Sequence, residues 1–277
     1  MGLRVSTNLP SIAAQRSMAG SQREINKSFA QLASGSRITK AADDAAGLSI
    51  SETLKSQIRG YQQAQRNAND GMSMVQVSEG GLGEISNILT RMREVAVQAA
   101  SDTVGDVERG FINKEVQQLK NEMQRIAKTT RWGDQNLLDG SGKEYAFQVD
   151  INNDDFADRI GFDASSQDAT IDKLGVSGFD FSDKGDARQA LEVLETAQRT
   201  VNGYRANLGA IQNRLISTSD NIGVAVENFS AANSRIRDTD VAQSTAELSR
   251  NNILLNASVG VLSQANVQGS AALKLIG

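Results

Sequence analysis

Three short patterns in this chain contain residue types that can do chemistry, and the first is a Gly-Ser-Gly-Lys segment at 140–143. A phosphate-binding loop would have a glycine where Leu137 stands and a Ser or Thr, which binds magnesium, where Glu144 stands. Both substitutions remove a function that the loop needs. We therefore expect a turn between two strands and not a nucleotide site.

The second pattern has the spacing of a calcium-binding loop, with Asp150, Asn152 and Asp154 at alternate positions. Such a loop needs a glycine for its sharp turn and a glutamate that binds the ion through both oxygens. Asp155 occupies the first of these positions and Gly161 the second. A polar hairpin loop is the better interpretation.

The third pattern is the adjacent pair Asp43 and Asp44, which has the composition of an acid/base dyad. Carboxylates at the start of a helix more often accept hydrogen bonds from its free N–H groups. The chain also has no cysteine and no histidine, so no thiolate nucleophile, zinc–thiolate site or imidazole base can form. We predict neither an enzyme nor a bound cofactor.

Charge and hydropathy exclude two further classes of partner. The net charge is −4 and there is no basic block, so a nucleic acid is not expected as a partner. No apolar run approaches the roughly 18 residues of a membrane span, and the first residues lack the hydrophobic segment of a cleavable signal. On these grounds alone the protein would be cytoplasmic, unless an export route reads no cleavable signal.

The elements that position these residues are dominated by one helix over 190–236. Apolar residues recur there at alternating spacings of four and three, which indicates a narrow seam that packs on a partner helix. Such a helix would be roughly 70 Å long, so the shape expected is a rod. One row of the seam is Leu194, Val201, Leu208, Leu215, Ile222, Phe229 and Ile236, and the other is Ala190, Ala197, Tyr204, Ile211, Thr218, Ala225 and Ala232.

Three more helices are expected before it, each with an apolar stripe: one over about 8–34, one that opens at 41–44 and fades at 101–105, and one over about 107–129. Between 133 and 185 the pattern changes to alternation, with strands expected at 145–151, at 160–162 and around 171 and 174–176. The fold class predicted is mainly α, a long antiparallel helical coiled-coil rod with a small β-hairpin region.

The two chain ends are poor in charge. Lys274 is the only charged residue between 251 and 277, and Arg16 is the only one between 5 and 22. Helices exposed to water normally carry many charges. These ends therefore predict burial against other protein, which indicates self-assembly.

Several segments resemble the conserved ends of bacterial flagellins. At the N-terminal end they are Ser-Thr-Asn at 6–8, Gln-Leu-Ala-Ser-Gly-Ser-Arg-Ile at 31–38 and Ala-Ala-Asp-Asp-Ala-Ala-Gly-Leu at 41–48. At the C-terminal end they are Leu-Gly-Ala-Ile-Gln-Asn-Arg-Leu at 208–215, Ser-Arg-Ile-Arg-Asp-Thr-Asp at 234–240 and Leu-Ser-Gln-Ala-Asn at 262–266. The resemblance covers roughly 1–140 and 186–277.

This resemblance implies a structural subunit of the flagellar filament, alone or together with other flagellins, in a minimal form without large outer domains. Residues 1–43 and 238–277 would be paired filament-core helices, and 44–237 would be the rod, with its β-region at about 133–185. The residues expected in filament-core assembly are Ile12, Met18, Ile25, Phe29, Leu32, Leu248, Leu255, Val259, Leu262 and Leu273.

The resemblance also implies an extracellular location and several partners. Flagellins leave the cell without a cleavable signal peptide, through the flagellar type III export apparatus with an export chaperone, and polymerise beneath a filament cap. Toll-like receptor 5 of a host would recognise a patch that includes Arg91, Val95 and Glu122. Because Val95 replaces the usual leucine, we expect weakened recognition.

Two other functions remain alternatives. A hook–filament junction protein has similar ends but forms no long homopolymer. An adhesin or secreted effector could use similar ends for export, but it would need a ligand-binding middle, for which the short β-region leaves little room.

Overall fold

Helices make up most of the chain in this computed structural model, which describes residues 7–274, with side chains described as far as 267. The helices are α1 (Leu9–Ser34), α2 (Ala45–Ala99), α3 (Asp106–Thr129), α4 (Lys184–Arg237) and α5 (Val241–Lys274). The predicted helices are therefore confirmed, as is the mainly α fold class with a small β-region. No helix among the described residues is long and apolar enough to cross a membrane.

Four short strands lie between α3 and α4. Strands β1 (Arg131–Trp132) and β2 (Gln135–Asn136) form one antiparallel pair, and β3 (Glu144–Gln148) and β4 (Arg159–Asp163) form another. In the second hairpin Tyr145 lies opposite Phe162, and their rings stack with centroids 6.0 Å apart. The predicted β-hairpin region is confirmed.

The strands expected around 171 and 174–176 are wrong. Their backbone groups are already engaged, because the N–H of Val176 donates to the nearby carbonyl of Ile171 (2.8 Å) and the N–H of Ile171 donates to the Gln124 side chain of α3 (3.1 Å). Three α3 side chains hold the irregular segment 171–182. Besides Gln124, Asn113 bonds the N–H of Phe181 (3.2 Å), and the buried ammonium of Lys120 donates to the carbonyls of Ser177 and Phe179.

The chain divides into two compact units, one of residues 57–227 and one of residues 1–56 with 228–277. The core of the first unit combines the seam between α2 and α4 with apolar side chains of α3 and the β-region. Leu194, Val201, Leu208 and Leu215 of α4 are all buried, as the seven-residue spacing predicts. The two helices are antiparallel, since Gln198 bonds Ser86 (2.7 Å) while Glu195, farther back in α4, approaches Arg93 farther along α2.

The β-region packs on α2 where that helix has glycines. A Cβ atom added to Gly60 would lie 2.7 Å from Ile151, one on Gly71 would lie 2.9 Å from the Phe147 ring, and one on Gly81 would lie 2.7 Å from Leu138. These glycines are ten and eleven residues apart, about three helical turns, so they line one face. Their lack of side chains lets the hairpin approach the helix backbone.

Candidate assembly interface

The terminal helices α1 and α5 pack against each other in the unit that contains both chain ends. Helix α1 begins at Asn8, whose side chain accepts a hydrogen bond from the N–H of Ser11 (3.1 Å), and it ends at Gly35 in the left-handed conformation (φ 66°). The pair is antiparallel, because Asn8 contacts Ala265 whereas Ser17 contacts Ser258.

Each helix contributes a seam with alternating spacings of three and four. Buried and half-buried side chains of α1 are Ser11, Ala14, Met18, Ser21, Ile25, Ser28 and Leu32, and those of α5 are Ser244, Leu248, Asn251, Leu255, Ser258, Leu262 and Ala265. In both helices one row is mostly large and apolar, and the other is small or polar. The small row lets the backbones approach but buries little apolar area.

Polar contacts support this pairing at its outer end. The Asn8 side-chain amide donates to the Ala265 carbonyl (3.0 Å), and the Ser11 hydroxyl donates to the Asn266 side chain (3.2 Å). Both bonds join residues more than 250 positions apart. A typical hydrogen bond adds about 1 kcal/mol net, so these contacts set the register more than they stabilise the pair.

The faces of α5 that point away from α1 are also apolar. Ile253 is 68% exposed and Leu254 48%, and one to two turns farther on Val259 and Val261 are exposed. These positions lie outside the seam, where a solvated coiled-coil helix normally carries charge. Several exposed aliphatic side chains on the outer faces of one helix are typical of a contact surface for other protein.

The predicted filament-core residues are divided between the seam and these outer faces. Ile25 is buried, and Met18, Leu32, Leu248, Leu255 and Leu262 are half-buried between the two helices. Ile12, Phe29 and Val259 are exposed, and Leu273 lies in α5 with its side chain outside the described residues. The sequence reading missed the small polar row, although Ser244, Asn251, Ser258 and Ala265 are spaced by seven.

A backbone junction joins the inner ends of α1 and α5 to the end of α4. The N–H of Arg37 donates to the carbonyl of Arg237 (2.6 Å), and the N–H of Thr239 donates to the carbonyl of Gly35 (3.0 Å). The guanidinium of Arg37 donates twice to the Ile236 carbonyl (2.7 and 3.1 Å), which caps the last turn of α4. These bonds fix the positions at which α1 ends and α5 begins relative to the end of α4.

Asp43 and Asp44 act as turn and cap residues at the start of α2. Asp44 accepts the N–H of Gly47 (2.8 Å). Asp43 accepts the backbone N–H of Lys40 (2.9 Å) together with the hydroxyl (2.9 Å) and N–H (3.1 Å) of Thr39, and these bonds lower the pKa of the Asp43 carboxyl. The cap interpretation is confirmed for Asp44.

The other two chemical patterns also form turns. Asp139 accepts the N–H (3.0 Å) and hydroxyl (2.6 Å) of Ser141 in the connection from β2 to β3. Asp154 accepts the N–H groups of Ala157 and Phe156 (2.8 Å each) in the β3–β4 loop, which lowers its carboxyl pKa. Within the described residues no group of three acidic side chains could hold a metal ion.

The expected receptor patch lies on α2 and α3. The Arg91 guanidinium bonds Glu115 (2.8 and 3.0 Å) across the two helices and Glu94 (3.0 Å) on its own helix. Glu122 pairs with Arg125 one turn on (2.6 Å). Val95 is only 2% exposed, so of the three residues only Arg91 and Glu122 present their side chains to solvent.

Comparisons with known proteins agree on one family. Residues 5–143 match the model of the bacterial flagellin N-terminal helical region, and residues 191–276 match that of the C-terminal helical region. The chain is 40% identical over 272 residues to a flagellin of Halalkalibacterium halodurans (98% of this chain, 99% of the relative) and 34% identical over 304 residues to a flagellin of Bacillus subtilis (99% and 100%). The crystal structure of Bacillus cereus flagellin, 32% identical, aligns with a TM-score of 0.51 over 57% of this chain and 88% of that one.

Proposed function

The chain belongs to the bacterial flagellin family, and we propose that it polymerises through the outer faces of its α1–α5 pair. As a flagellin it is a structural subunit of the flagellar filament, the helical propeller of bacterial motility. Because the relatives that match along nearly its whole length are flagellins, the hook–filament junction alternative is not favoured.

The observation that carries the assembly proposal is the second apolar face of α5. The seam toward α1 already uses one face, yet Ile253, Leu254 and Val261 remain exposed on another. Each such side chain that a neighbouring subunit buries fully would stabilise the assembly by roughly 1.5–3 kcal/mol. In this proposal residues 1–43 and 238–277 form the filament core, and 44–237 form the surrounding layer.

The test places a charge on that outer face. Ile253→Asp should abolish polymerisation from seeded monomer, because each subunit would bury an unpaired carboxylate. Ser249→Asp is the matched control, since Ser249 is exposed on the same helix between Glu247 and Arg250, where charge already occurs. Electron microscopy and sedimentation measure the filaments, and circular dichroism checks that both monomers fold alike. Normal filaments from Ile253→Asp would refute the proposal.

A second test separates the α1–α5 seam from the outer face. Leu262→Asp places its charge between α1 and α5, so it should reduce the helix content of the monomer as well as block assembly. Deleting residues 260–277 should leave the unit of residues 57–227 folded and prevent polymerisation. Filaments formed by the truncated chain would contradict the assembly role of the C-terminal helix.

We also propose that the subunit is exported by the flagellar type III apparatus without a cleavable signal, with a chaperone, and adds beneath a filament cap. The absence of cysteine supports this route, since no disulfide can obstruct an unfolded chain in a narrow channel. Culture supernatants of strains with and without the export apparatus test the route. Secretion that persists without the apparatus would refute it.

Recognition by Toll-like receptor 5 is proposed to be weak. Arg91 is exposed and Glu122 half-exposed, but Val95, which is shorter than the usual leucine, is buried and offers the receptor no apolar contact. Receptor activation by the monomer, compared with Val95→Leu and Arg91→Ala, tests this. Full activity of the wild type that Val95→Leu does not raise would refute it.

We propose no catalytic role. The acidic pair at the start of α2 holds backbone N–H groups, so its carboxylates are engaged in the local fold.

A further inference from the structure

A groove of about 350 Å³ lies between the β3–β4 hairpin and α4. Its hairpin wall contains Val149, Phe156 and Ile160, and its α4 wall contains Asn213, Arg214 and Ser217. One wall is therefore mainly apolar and the other polar with a positive charge. All of these residues belong to the unit of residues 57–227.

Phe156 is held at the rim of this groove with its ring in solvent. It is 91% exposed, the highest value among the large hydrophobic residues that the structure describes. Its position is fixed because its N–H donates to Asp154 (2.8 Å), and because Arg159 ties the same loop to Asp155, to Asn153 (2.6 Å) and to Gln148 (3.0 Å). A hydrogen-bonded loop that presents a phenylalanine to water is typical of a contact surface that a partner covers.

Arg214 provides the charge of the opposite wall. It is exposed and makes no hydrogen bond or ion pair with any residue in the described part of the chain. Arg159, the other guanidinium at the groove, is already paired with Asp155. A free guanidinium beside an amide and a hydroxyl is suited to a carboxylate, which it can bind through two parallel hydrogen bonds.

We propose that a second copy of this chain fills the groove in the filament, covering Phe156 and presenting a carboxylate to Arg214. This inference rests on the proposed function. The charge balance favours the same occupant, since each copy has 33 acidic against 29 basic residues. Exposed carboxylates without an ion pair among the described residues are available on every copy, for example Asp70, Glu84 and Asp220.

The groove is a separate contact from the one made by the terminal helices. The exposed α5 patch of Ile253, Leu254 and Val261 is aliphatic and uncharged, whereas the groove combines an aromatic ring with a charge. Loss of the groove contact should therefore weaken filaments without preventing assembly, and it should make their stability less dependent on salt, because salt screens the ion pair that is lost.

The first experiment uses the absence of native cysteine to place one thiol at the groove. Phe156→Cys and the control Ser166→Cys, an exposed position after β4, are each mixed at low fraction into wild-type filaments. Reaction of a maleimide with the thiol at 156 should slow at least tenfold on assembly, whereas the thiol at 166 should react at its monomer rate. Exclusion of Phe156→Cys alone from the filaments would also support the contact. An unchanged rate at 156, or equal protection at both positions, would overturn it.

The second experiment removes the charge. Arg214→Ala should raise the monomer concentration needed for elongation about tenfold, and Arg214→Glu should raise it further. Arg199→Ala is the matched control, because Arg199 is an exposed arginine of α4 that pairs with Glu195 within its own helix. Circular dichroism of the monomers should be the same for all three.

The outcomes separate the two proposals. If the wild type forms no filaments, the proposed function itself fails. If the wild type and Arg199→Ala elongate normally and Arg214→Ala does so equally well, only the groove contact fails.

Discussion

Lys120 is an uncommon residue, a lysine whose side chain is almost wholly buried at 3% exposure. Its ammonium lies 5.9 Å from the centre of the Phe179 ring and donates to two carbonyls of a segment with no regular structure. Burial is costly for a charge unless hydrogen bonds compensate it. The hydrogen bonds of Lys120 therefore hold segment 171–182 on α3.

Replacing Lys120 by an apolar side chain of similar length tests that role. Lys120→Met should lower the free energy of unfolding by about 2 kcal/mol, because hydrogen bonds from a charged donor contribute roughly 1.5–3 kcal/mol. Lys128→Met is the control, since Lys128 is exposed on the same helix. Urea denaturation followed by circular dichroism gives both values. Equal stability of the two variants would show that segment 171–182 is held without Lys120.

The same lysine predicts a pH dependence. Burial lowers the pKa of Lys120 below its ordinary 10.5, and the nearby Asp180 opposes this only partly. Between the lowered pKa and 10.5 the unfolded chain binds more protons than the folded one, so the free energy of unfolding must rise with pH in that interval. The difference in stability between wild type and Lys120→Met should therefore grow with pH. A difference that shrinks would mean that the charged form is the better bound one.

At the level of elements, the glycines of α2 are not equivalent: some allow close packing and others do not contact the β-region. A pair of variants can distinguish the two kinds. Gly71 is buried, and a Cβ there would lie against the Phe147 ring, whereas Gly80 is exposed with nothing within 4 Å. Gly71→Ala should destabilise the protein by about 1–2 kcal/mol through overpacking. Gly80→Ala should stabilise it by up to about 1 kcal/mol, the helix preference of alanine over glycine. Thermal unfolding of both variants measures these changes in stability. A stabilised Gly71→Ala would mean that the β3–β4 hairpin can move away from α2.

Helices were predictable from this sequence because each one buries a stripe with a fixed period. Every member of the α4 seam from Ala190 to Ile222 is buried or half-buried. The strands around 171 and 174–176 could not be excluded in advance. Local turn bonds, such as that from the Val176 N–H to Ile171, combine there with a bond from the Ile171 N–H to Gln124 of α3, which is far away in sequence. The row of small and polar residues in the α1–α5 seam was not predicted for another reason. A search for apolar residues does not find Ser244 and Asn251.

At the level of the whole molecule, apolar side chains are distributed unequally between the two units. The unit of residues 57–227 has a continuous core that includes Leu82, Met92, Phe162, Phe181 and Leu208, all fully buried. In the unit that contains the chain ends, much of the seam is serine, alanine and asparagine, and several large aliphatic side chains are exposed. The stabilisation available to α1 and α5 within one subunit is correspondingly small, and in the proposed assembly neighbouring subunits supply the rest.

This inequality predicts that the terminal helices open locally in the monomer and become protected on assembly. Hydrogen exchange measured by mass spectrometry should show fast exchange in peptides from 9–34 and 241–267 of the monomer, slowed at least a hundredfold in filaments. Peptides from 64–99 and 187–222 should be protected in both states, because their seam is complete within one chain. Ile253→Asp, held monomeric by its charge, should keep fast exchange in the α1 and α5 peptides under polymerising conditions. This control separates the effect of assembly on exchange from that of the solvent. Slow exchange of α1 and α5 in the isolated subunit would mean that the pair is stable alone, and that polymerisation joins preformed helices and does not complete their folding.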